Sequence, residues 1–248
     1  MPFRETPFTS TILPIPVTRL GAHPNVVMAV LAGRAGPITV EHAGGSVTGD
    51  VLLVRPGIEH SVRLGERGAD VVYLNGLTFP FEAPLAVALK GHLERLARRS
   101  IGGDPCATEE LRERLAFATD PLPAKVAEIV RAMQADPMRR VSQEELVRCL
   151  DMERTRALRC FKASTGLTFR RFKLWSALQH AALRMAEREL VRTAAMDAGF
   201  ADTAHLSRVF SSMFGLCPSA AIAGLDDRDD GDNAQNYNVG SRPRHNLA

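Results

Sequence analysis

The sequence of 248 residues has few cysteines and no long hydrophobic run. Its four cysteines lie far apart and form no C-x-x-C pair, so they do not indicate a zinc site; they are Cys106, Cys149, Cys160 and Cys217. No apolar run approaches the ~18 residues that a transmembrane helix needs. The first ten residues lack the apolar stretch of a secretory signal. We therefore expect a reduced, cytoplasmic globular protein without a membrane partner.

The formal net charge of +3 is unevenly distributed along the chain. Residues 1–121 carry 12 Lys/Arg against 13 Asp/Glu, whereas residues 122–224 carry 16 against 10. The last segment, 225–248, carries 3 against 5. A block of about a hundred residues with a charge of +6 is typical of a protein that binds a polyanion. Many enzymes are equally basic, so the charge alone does not decide the function.

Residues 11–79 consist of short β-rich runs separated by turns that contain glycine and proline. The clearest runs cover 26–31, 38–40, 51–54 and 71–74. This spacing predicts a small antiparallel sandwich or barrel. Leucines then recur every three or four residues and predict a helix over 82–100; they are Leu85, Leu89, Leu93 and Leu96. A second short helix follows the break at 102–105, with Thr108 as its N-cap.

The prolines in the stretch 120–123 mark the best domain boundary, because they stop both helices and strands. Every later segment is predicted to be helical: 124–135, 142–149, 153–165, 168–188, 192–198, 202–214 and 218–223. We expect the tail to be disordered, because it has almost no apolar residues. The sequence thus predicts an α+β protein with a β-rich domain that ends in helices at 1–121, an all-α domain at 122–224 and a disordered tail at 225–248.

The helical half contains a weak internal repeat of 49 residues. A step of 49 carries Glu153 to Asp202, Arg159 to Arg208, Phe161 to Phe210 and Gly166 to Gly215. Each copy is predicted to be a short helix, a tight turn and a longer helix that begins at an acidic N-cap. Ser142 opens the first copy with Glu145 three residues on, which is the spacing of a capping box. Gly199 occupies the turn of the second copy. Such a helix-turn-helix lets its second helix enter a major groove.

Helical spacing predicts which face each second helix turns outward. In 153–165 the inward residues are Ala157, Cys160 and Phe161, and the outward stripe consists of Thr155, Leu158, Arg159 and Lys162. In 202–214 the inward residues are Leu206, Phe210 and Phe214, and the outward stripe consists of Thr203, Ala204, Ser207, Arg208 and Ser211. Arg, Thr and Ser can bond base edges, and Leu or Ala can contact a thymine methyl. A lone helical arginine is usually a solvated surface charge, but Arg159 and Arg208 share one position of the repeat, which favours a DNA-binding role.

One stretch closely resembles a known family. The sequence AGFADTAHLSRVF at 198–210, followed by FGLCP at 214–218, is similar almost position for position to the signature of AraC/XylS-type transcription regulators. The first copy, which ends in RCFKASTG at 159–166, is a looser match. The resemblance covers residues 124–222, the DNA-binding domain of these regulators. It implies that the helix 168–188 is a rigid spacer, so that both recognition helices enter successive major grooves about one turn (~34 Å) apart.

Three residues depart from the family pattern. Ala157 stands where the family usually has Leu, Phe169 where it usually has Pro, and Ala177 where an Arg is frequent. The first two lie in or beside the first helix-turn-helix unit, and the third lies in the spacer helix. These departures bear on the strength or specificity of the first unit and not on the fold.

The run GDVLLVRPGIEH at 49–60 is similar to the cupin-like sensor barrel of many such regulators. In cupin enzymes the histidine at the position of His60 binds a metal, together with an H-x-H and a Glu from an earlier strand. Here the earlier segment offers only Glu41 and His42, and the chain contains no H-x-H. Since a catalytic metal needs about three protein ligands, we expect no metal. We interpret His60 as a hydrogen-bonded turn residue.

The resemblance also implies partners besides double-stranded DNA. The barrel interior can hold a small-molecule effector, since small barrels enclose cavities of that size. The leucine stripe of 82–100 fits either a homodimer seam, as in the family, or a core. RNA polymerase is the remaining expected partner of a transcription regulator.

Two other functions compete with a DNA-binding regulator. One is a metal-dependent cupin oxygenase or isomerase, which lacks enough ligands and leaves the 49-residue repeat unexplained. The other is an interaction module that has lost DNA binding, against which the outward Arg159, Lys162 and Arg208 argue. We therefore expect a sequence-specific DNA-binding transcription regulator with no catalytic residues and no cofactor.

Overall fold

The computed structural model describes residues 10–76, 84–116, 122–136, 139 and 141–226, with side chains up to residue 223. The strands in these residues are β1 (Ser10–Ile15), β2 (Arg19–Pro24), β3 (Met28–Gly33), β4 (Ile38–His42), β5 (Gly45–Gly49), β6 (Val51–Val54), β7 (Glu59–Arg63), β8 (Ala69–Leu74) and β9 (Ala86–Ala88). The helices are α1 (His92–Ile101), α2 (Pro105–Leu115), α3 (Ala124–Ala135), α4 (Gln143–Leu150), α5 (Arg154–Thr165), α6 (Phe169–Ala186), α7 (Val191–Asp197), α8 (Thr203–Phe214) and α9 (Pro218–Asp226). The predicted α+β class is confirmed.

The strands form two antiparallel sheets. The five-stranded sheet has the order β1-β8-β3-β6-β9, and the four-stranded sheet has the order β2-β7-β4-β5. Alternating residues of both sheets, such as Ile38 and Val40 on one and Leu31 and Val71 on the other, share one apolar core. The strands are thus divided between two sheets of a cupin-like arrangement and do not close into a single barrel.

The five-stranded sheet is buried on both faces, which explains its uninterrupted apolar runs. In β3, Ala29 and Leu31 face the core between the sheets, whereas Met28 and Val30 belong to a second cluster on the other side. Helices α1 and α2 cover that second side through residues such as Leu96 and Leu111. Because side chains alternate along a strand, each face is covered by a different set of residues.

The predicted helix over 82–100 was wrong in its first half. Residues 86–88 form strand β9 at the sheet edge, and α1 begins only at His92. The leucine stripe contributes to the core of its own chain, since Leu89 and Leu96 are buried beside the five-stranded sheet. The next helix also begins earlier than expected. Its N-cap is Asp104, whose carboxylate accepts the Ala107 N–H at 3.0 Å, and Thr108 lies in the first turn.

The helical half packs directly on the sheets. The core between the sheets continues into α3, α6 and α8 through Val126, Trp175 and Phe214. Tyr73 of β8 contacts Trp175 and Phe214, with ring centroids 5.5 and 5.2 Å apart respectively. One continuous apolar core therefore joins the two halves of the chain.

The remaining predictions concern segment ends and membranes. Helix α9 ends at Asp226, so it covers the first two residues of the predicted tail, 225–248. Residues 227–248 lie outside the described residues, as do residues 120 and 121 of the predicted boundary at 120–123. In the part of the chain that the structure describes, no helix is both long enough and apolar enough to cross a membrane.

Candidate nucleic-acid interface

The first helix-turn-helix unit consists of α4, a three-residue turn and α5. The Ser142 hydroxyl accepts the Glu145 N–H at 3.1 Å and caps α4, as the sequence predicts. The Glu145 carboxylate pairs with Arg139 at 2.6 Å, so its recorded partner is a neighbouring cation. Asp151 ends α4 with a left-handed backbone (φ 53°), a conformation that Asp tolerates better than most residues. Glu153 then caps α5 by accepting two backbone N–H groups.

The second unit repeats this plan with α7, a short turn and α8. Gly199 lies in the turn as predicted and has φ 79°, a left-handed backbone that glycine adopts readily. Asp202 caps α8 by accepting the His205 N–H at 2.6 Å. Both acidic caps place negative charge at a helix N-terminus, where the helix dipole favours it. The pKa of Glu153 is lowered, chiefly by the hydrogen bonds from the backbone of Thr155 and Arg156.

The 49-residue repeat is a structural repeat. Gly166 and Gly215 end α5 and α8 with nearly the same left-handed backbone, φ 76° and 72°. Phe161 and Phe210, also 49 residues apart, are both buried. Arg159 and Arg208 are both exposed, each on the side of its helix opposite the buried phenylalanine. The two helices therefore present corresponding positions to solvent.

The structure leaves most of the predicted DNA-binding residues accessible. Those that are exposed are Thr155, Arg159, Lys162, Thr203, Ala204 and Arg208. Ser207 is half-buried, and so is Leu158, which packs against the apolar core. Leu158 thus turns less far outward than its spacing predicts. On the inner faces Ala157, Phe161, Leu206, Phe210 and Phe214 are buried as predicted, and Cys160 is half-buried.

Two further cations at the start of α5 were not predicted from the sequence. Arg154 and Arg156 are exposed, and the Arg154 guanidinium donates to Gln143 Oε1 of α4 at 3.0 and 2.6 Å. The bond fixes Arg154 across the turn of the first unit. Within the described residues, no salt bridge neutralises the cations of α5 or α8. Both arginines lie outside the predicted stripe, so local charge density was the only sequence signal for them.

The sheets hold the C-terminal end of α8. The Gly21 N–H of β2 donates to the carbonyl of Gly215 at 2.9 Å. A Cβ on Gly215 would lie 2.5 Å from His23 Nδ1, so only glycine allows this approach. The contact lies at the opposite end of α8 from the exposed Thr203 and Ala204. The sheets therefore anchor α8 without covering its N-terminal half.

A buried polar network holds the spacer helix α6 against the five-stranded sheet. Trp175 Nε1 donates to Asn75 Oδ1 at 2.7 Å, and Asn75 Nδ2 donates to Gln179 Oε1 at 3.1 Å. Gln179 Nε2 in turn donates to Thr11 Oγ1 of β1 at 2.6 Å. The Arg112 guanidinium of α2 donates to the Asn75 carbonyl. The network thus connects the spacer helix α6 with β1, with Asn75 at the end of β8 and with α2.

His60 lies in β7 beside two other histidines. It is paired across the sheet with His23 of β2 and His42 of β4. His60 Nδ1 is bonded to the Ile58 carbonyl at 2.8 Å, so the predicted hydrogen bond is present, but His60 lies in strand β7 and not in a turn. Burial lowers the pKa of His60 to about 4. Among the described residues, no group of three or more His, Cys, Asp or Glu side chains is placed to hold a metal.

Comparison with known proteins supports the helical repeat. Residues 146–223 match the family model described as "Helix-turn-helix domain". No curated protein matches the sequence significantly. A crystal structure of ToxT from Vibrio cholerae superimposes with a TM-score of 0.58 at 14% identity, covering 88% of this chain and 98% of ToxT. ToxT bound to an unsaturated fatty acid gives a TM-score of 0.57 at 15% identity, with 90% and 98% covered.

These comparisons agree with the geometry of the two units. At such low identity the ToxT structures show a common fold over both halves of the chain. The family model covers α5 to α8 and so includes both recognition helices. The predicted resemblance is confirmed over residues 146–223, which match a helix-turn-helix domain of the AraC type.

Proposed function

We propose that this chain is a sequence-specific transcription regulator that inserts α5 and α8 into successive major grooves of double-stranded DNA. The observation that carries the proposal is the equivalence of the two helices. Each begins at an acidic N-cap, ends at a left-handed glycine and presents an exposed arginine at the same position. In major-groove recognition, an arginine in this place can form two hydrogen bonds to guanine.

We assign the DNA contacts to the two outward stripes. In α5 they are Thr155, Leu158, Arg159 and Lys162, and in α8 they are Thr203, Ala204, Ser207 and Arg208. Arg159 and Arg208 read base edges, whereas Lys162 lies one turn later, where a recognition helix approaches the phosphates. Arg154, fixed by Gln143, adds a phosphate contact at the start of α5.

The two halves of the chain have different roles in this proposal. We propose that residues 122–224 bind DNA and that residues 1–121 respond to a small-molecule effector. ToxT has been solved with an unsaturated fatty acid and with a naphthalenyl butenoic acid, which supports an effector of low molecular mass for this fold. The chain has a regulatory and not an enzymatic role, and it acts in the cytoplasm with RNA polymerase and a second copy of itself as further partners.

The test uses the full-length protein, because the two halves share a core. Genome-wide mapping of bound DNA in cells gives the operator, and binding titrations then compare the operator with scrambled DNA. A specific regulator binds its operator about 10³-fold or more tightly than scrambled DNA. Affinity falls steeply with salt, because phosphate contacts release counterions. A folded protein that shows no preference for any mapped sequence would refute the proposal.

A further inference from the structure

A cleft of about 320 Å³ lies beside α6, between the end of α3 and the second helix-turn-helix unit. One wall is a single face of α6, whose residues recur at spacings of three and four: Arg170, Lys173, Leu174 and Ala177. The opposite wall contains Met133 of α3 and Val141, which precedes α4, and the second unit contributes the turn 198–199 and His205. The volume falls within the range of about 300–1,000 Å³ that is typical of small-molecule sites.

The interior of the cleft is apolar. Met133, Val141 and Ala198 are almost completely buried and form its base. Space remains because the spacer helix and the turn of the second unit carry small residues here, namely Ala177, Ala198 and Gly199. An apolar group placed in the cleft would therefore be removed from water, which is the main source of affinity for small ligands.

Cationic side chains stand beside this apolar base. Lys173 Nζ donates to the Val141 carbonyl at 2.7 Å and lies 5.6 Å from the centre of the Phe169 ring. The carbonyl uses one of three ammonium N–H groups, so two remain available to a ligand. Arg170 is exposed on the same face of α6. Both cations can therefore reach one acidic group of a ligand in the cleft.

The other polar residues limit the negative charge of a ligand that the cleft can bind. The His205 ring packs on the edge of Phe200, with centroids 5.4 Å apart, and offers a ring nitrogen. Asp136 is the acidic lining residue, and its carboxylate accepts the Arg139 N–H at 3.2 Å. Among the lining residues that the structure describes, two cations against one carboxylate favour a monoanion, because a dianion would be repelled more strongly by Asp136.

We propose that this cleft binds a small organic carboxylate with an apolar body. The carboxylate pairs with Lys173 and Arg170, and the body packs on Met133, Val141 and Ala177. Because such a ligand touches α6 and the second helix-turn-helix unit at once, its binding fixes the position of α8 relative to the spacer helix. This regulatory consequence rests on the proposed DNA-binding function. By linkage, a ligand that favours the DNA-bound spacing must itself bind more tightly when DNA is present.

The experiment measures carboxylate binding to the full-length protein by titration calorimetry without DNA. The probes are benzoate, octanoate and 4-phenylbutyrate at millimolar concentration, each with the corresponding alcohol as a neutral match. We expect at least one carboxylate to bind at a ratio of one to one and its alcohol to bind about tenfold or more weakly, since a hydrogen bond to a charged group is lost.

Three variants locate the site. Lys173→Gln keeps an N–H for the Val141 carbonyl but removes the charge, so carboxylate affinity should fall about tenfold or more. Ala177→Leu fills the cleft and should abolish binding. Arg131→Gln is the matched control, since Arg131 is an exposed cation of α3 that does not line the cleft, and it should leave binding unchanged. Circular dichroism confirms that each variant is folded.

Several results would overturn the proposal. They are the absence of binding for all three carboxylates, equal binding of acids and alcohols, and undiminished binding by the folded Ala177→Leu variant. If Lys173→Gln weakens DNA binding while no carboxylate binds, the cleft receives DNA phosphates instead and the proposal is also overturned. The DNA titrations are performed without carboxylate, so a failure of the proposed function would appear there and leave the calorimetric result standing.

Discussion

Trp175 of the spacer helix and Asn75 at the end of β8 are joined by a hydrogen bond of 2.7 Å across 100 residues of sequence. Both side chains are fully buried, and Trp175 is the one tryptophan of the chain. Their burial keeps both polar groups away from bulk solvent. The pair therefore both orients α6 on the sheet and makes their separation costly.

The first prediction concerns that bond. Trp175→Phe retains most of the apolar contact but removes the indole N–H, so Asn75 Oδ1 loses its donor. We expect the free energy of unfolding to fall by about 2–4 kcal/mol, which combines an unsatisfied buried acceptor with the volume lost. Urea unfolding followed by circular dichroism measures the change. Thr39→Ala, which removes an exposed hydrogen bond to Thr48, is the control and should cost less than about 1 kcal/mol.

The second prediction separates base contacts from phosphate contacts within α5. Arg159→Ala should lower operator affinity about tenfold or more and barely change binding to scrambled DNA, because a base-edge contact discriminates by ~1–3 kcal/mol. Lys162→Ala should lower both affinities together and reduce the salt dependence by about one phosphate. Titrations at several salt concentrations measure both effects. Equal losses on operator and scrambled DNA for Arg159→Ala would contradict the assignment.

The third prediction applies the same logic to α8. Arg208→Ala should resemble Arg159→Ala, but the lost discrimination should fall on base pairs about one turn (~10 bp) away. Competition assays with operators mutated at single base pairs locate the affected positions. If both substitutions affected the same base pairs, the two helices would not occupy successive grooves.

The fourth prediction concerns the contact between α8 and the sheet. Gly215→Ala forces a left-handed alanine and places its Cβ 2.8 Å from the Gly21 oxygen and 2.5 Å from His23 Nδ1. Gly166→Ala, the exposed equivalent in α5, has the same backbone strain of about 1–2 kcal/mol and serves as the control. We expect Gly215→Ala to be clearly the more destabilising of the two in urea unfolding. Equal effects would mean that the sheet contact contributes nothing.

The fifth prediction is a loss of stability in mild acid. Burial lowers the pKa of His60 to about 4, and it also lowers the pKa of His23. Both histidines bind protons more readily in the unfolded chain, whose pKa is near 6.5. The free energy of unfolding should therefore decline as the pH falls from about 6.5 towards 4. Urea unfolding across this range tests it, and His60→Gln should flatten the decline. An unchanged pH dependence in that variant would contradict the assignment to His60.

The helix-turn-helix units could be predicted because their signals are local. The N-caps Ser142, Glu153 and Asp202 and the left-handed Gly199 act within one turn of helix, so the sequence around each contains the information needed. The strand β9 could not be predicted in this way. The leucines at 85 and 89 have helical spacing, but pairing of residues 86–88 with β6 overrides it, and that partner lies more than thirty residues away.

The contact between the two halves of the chain also could not be predicted from the sequence. Asn75, Trp175 and Gln179 are individually ordinary residues, and only the fold brings them together. The environment of Leu158 also could not be predicted from its position in the sequence. Its spacing assigns it to the outward stripe, but the neighbouring elements partly enclose it. For a similar reason the cleft beside α6 had no sequence signal, since it is formed by three separate parts of the chain.

The bond between Thr11 and Gln179 has a consequence for the order of events during synthesis. The two residues are 168 positions apart, so strand β1 leaves the ribosome long before the helix that completes its polar contacts. At ~5–20 residues per second, several seconds or more separate their emergence. In that interval Thr11, Asn75 and the apolar side of β8 lack their final cover. Binding of a chaperone to nascent chains should thus persist until α6 has emerged and then end.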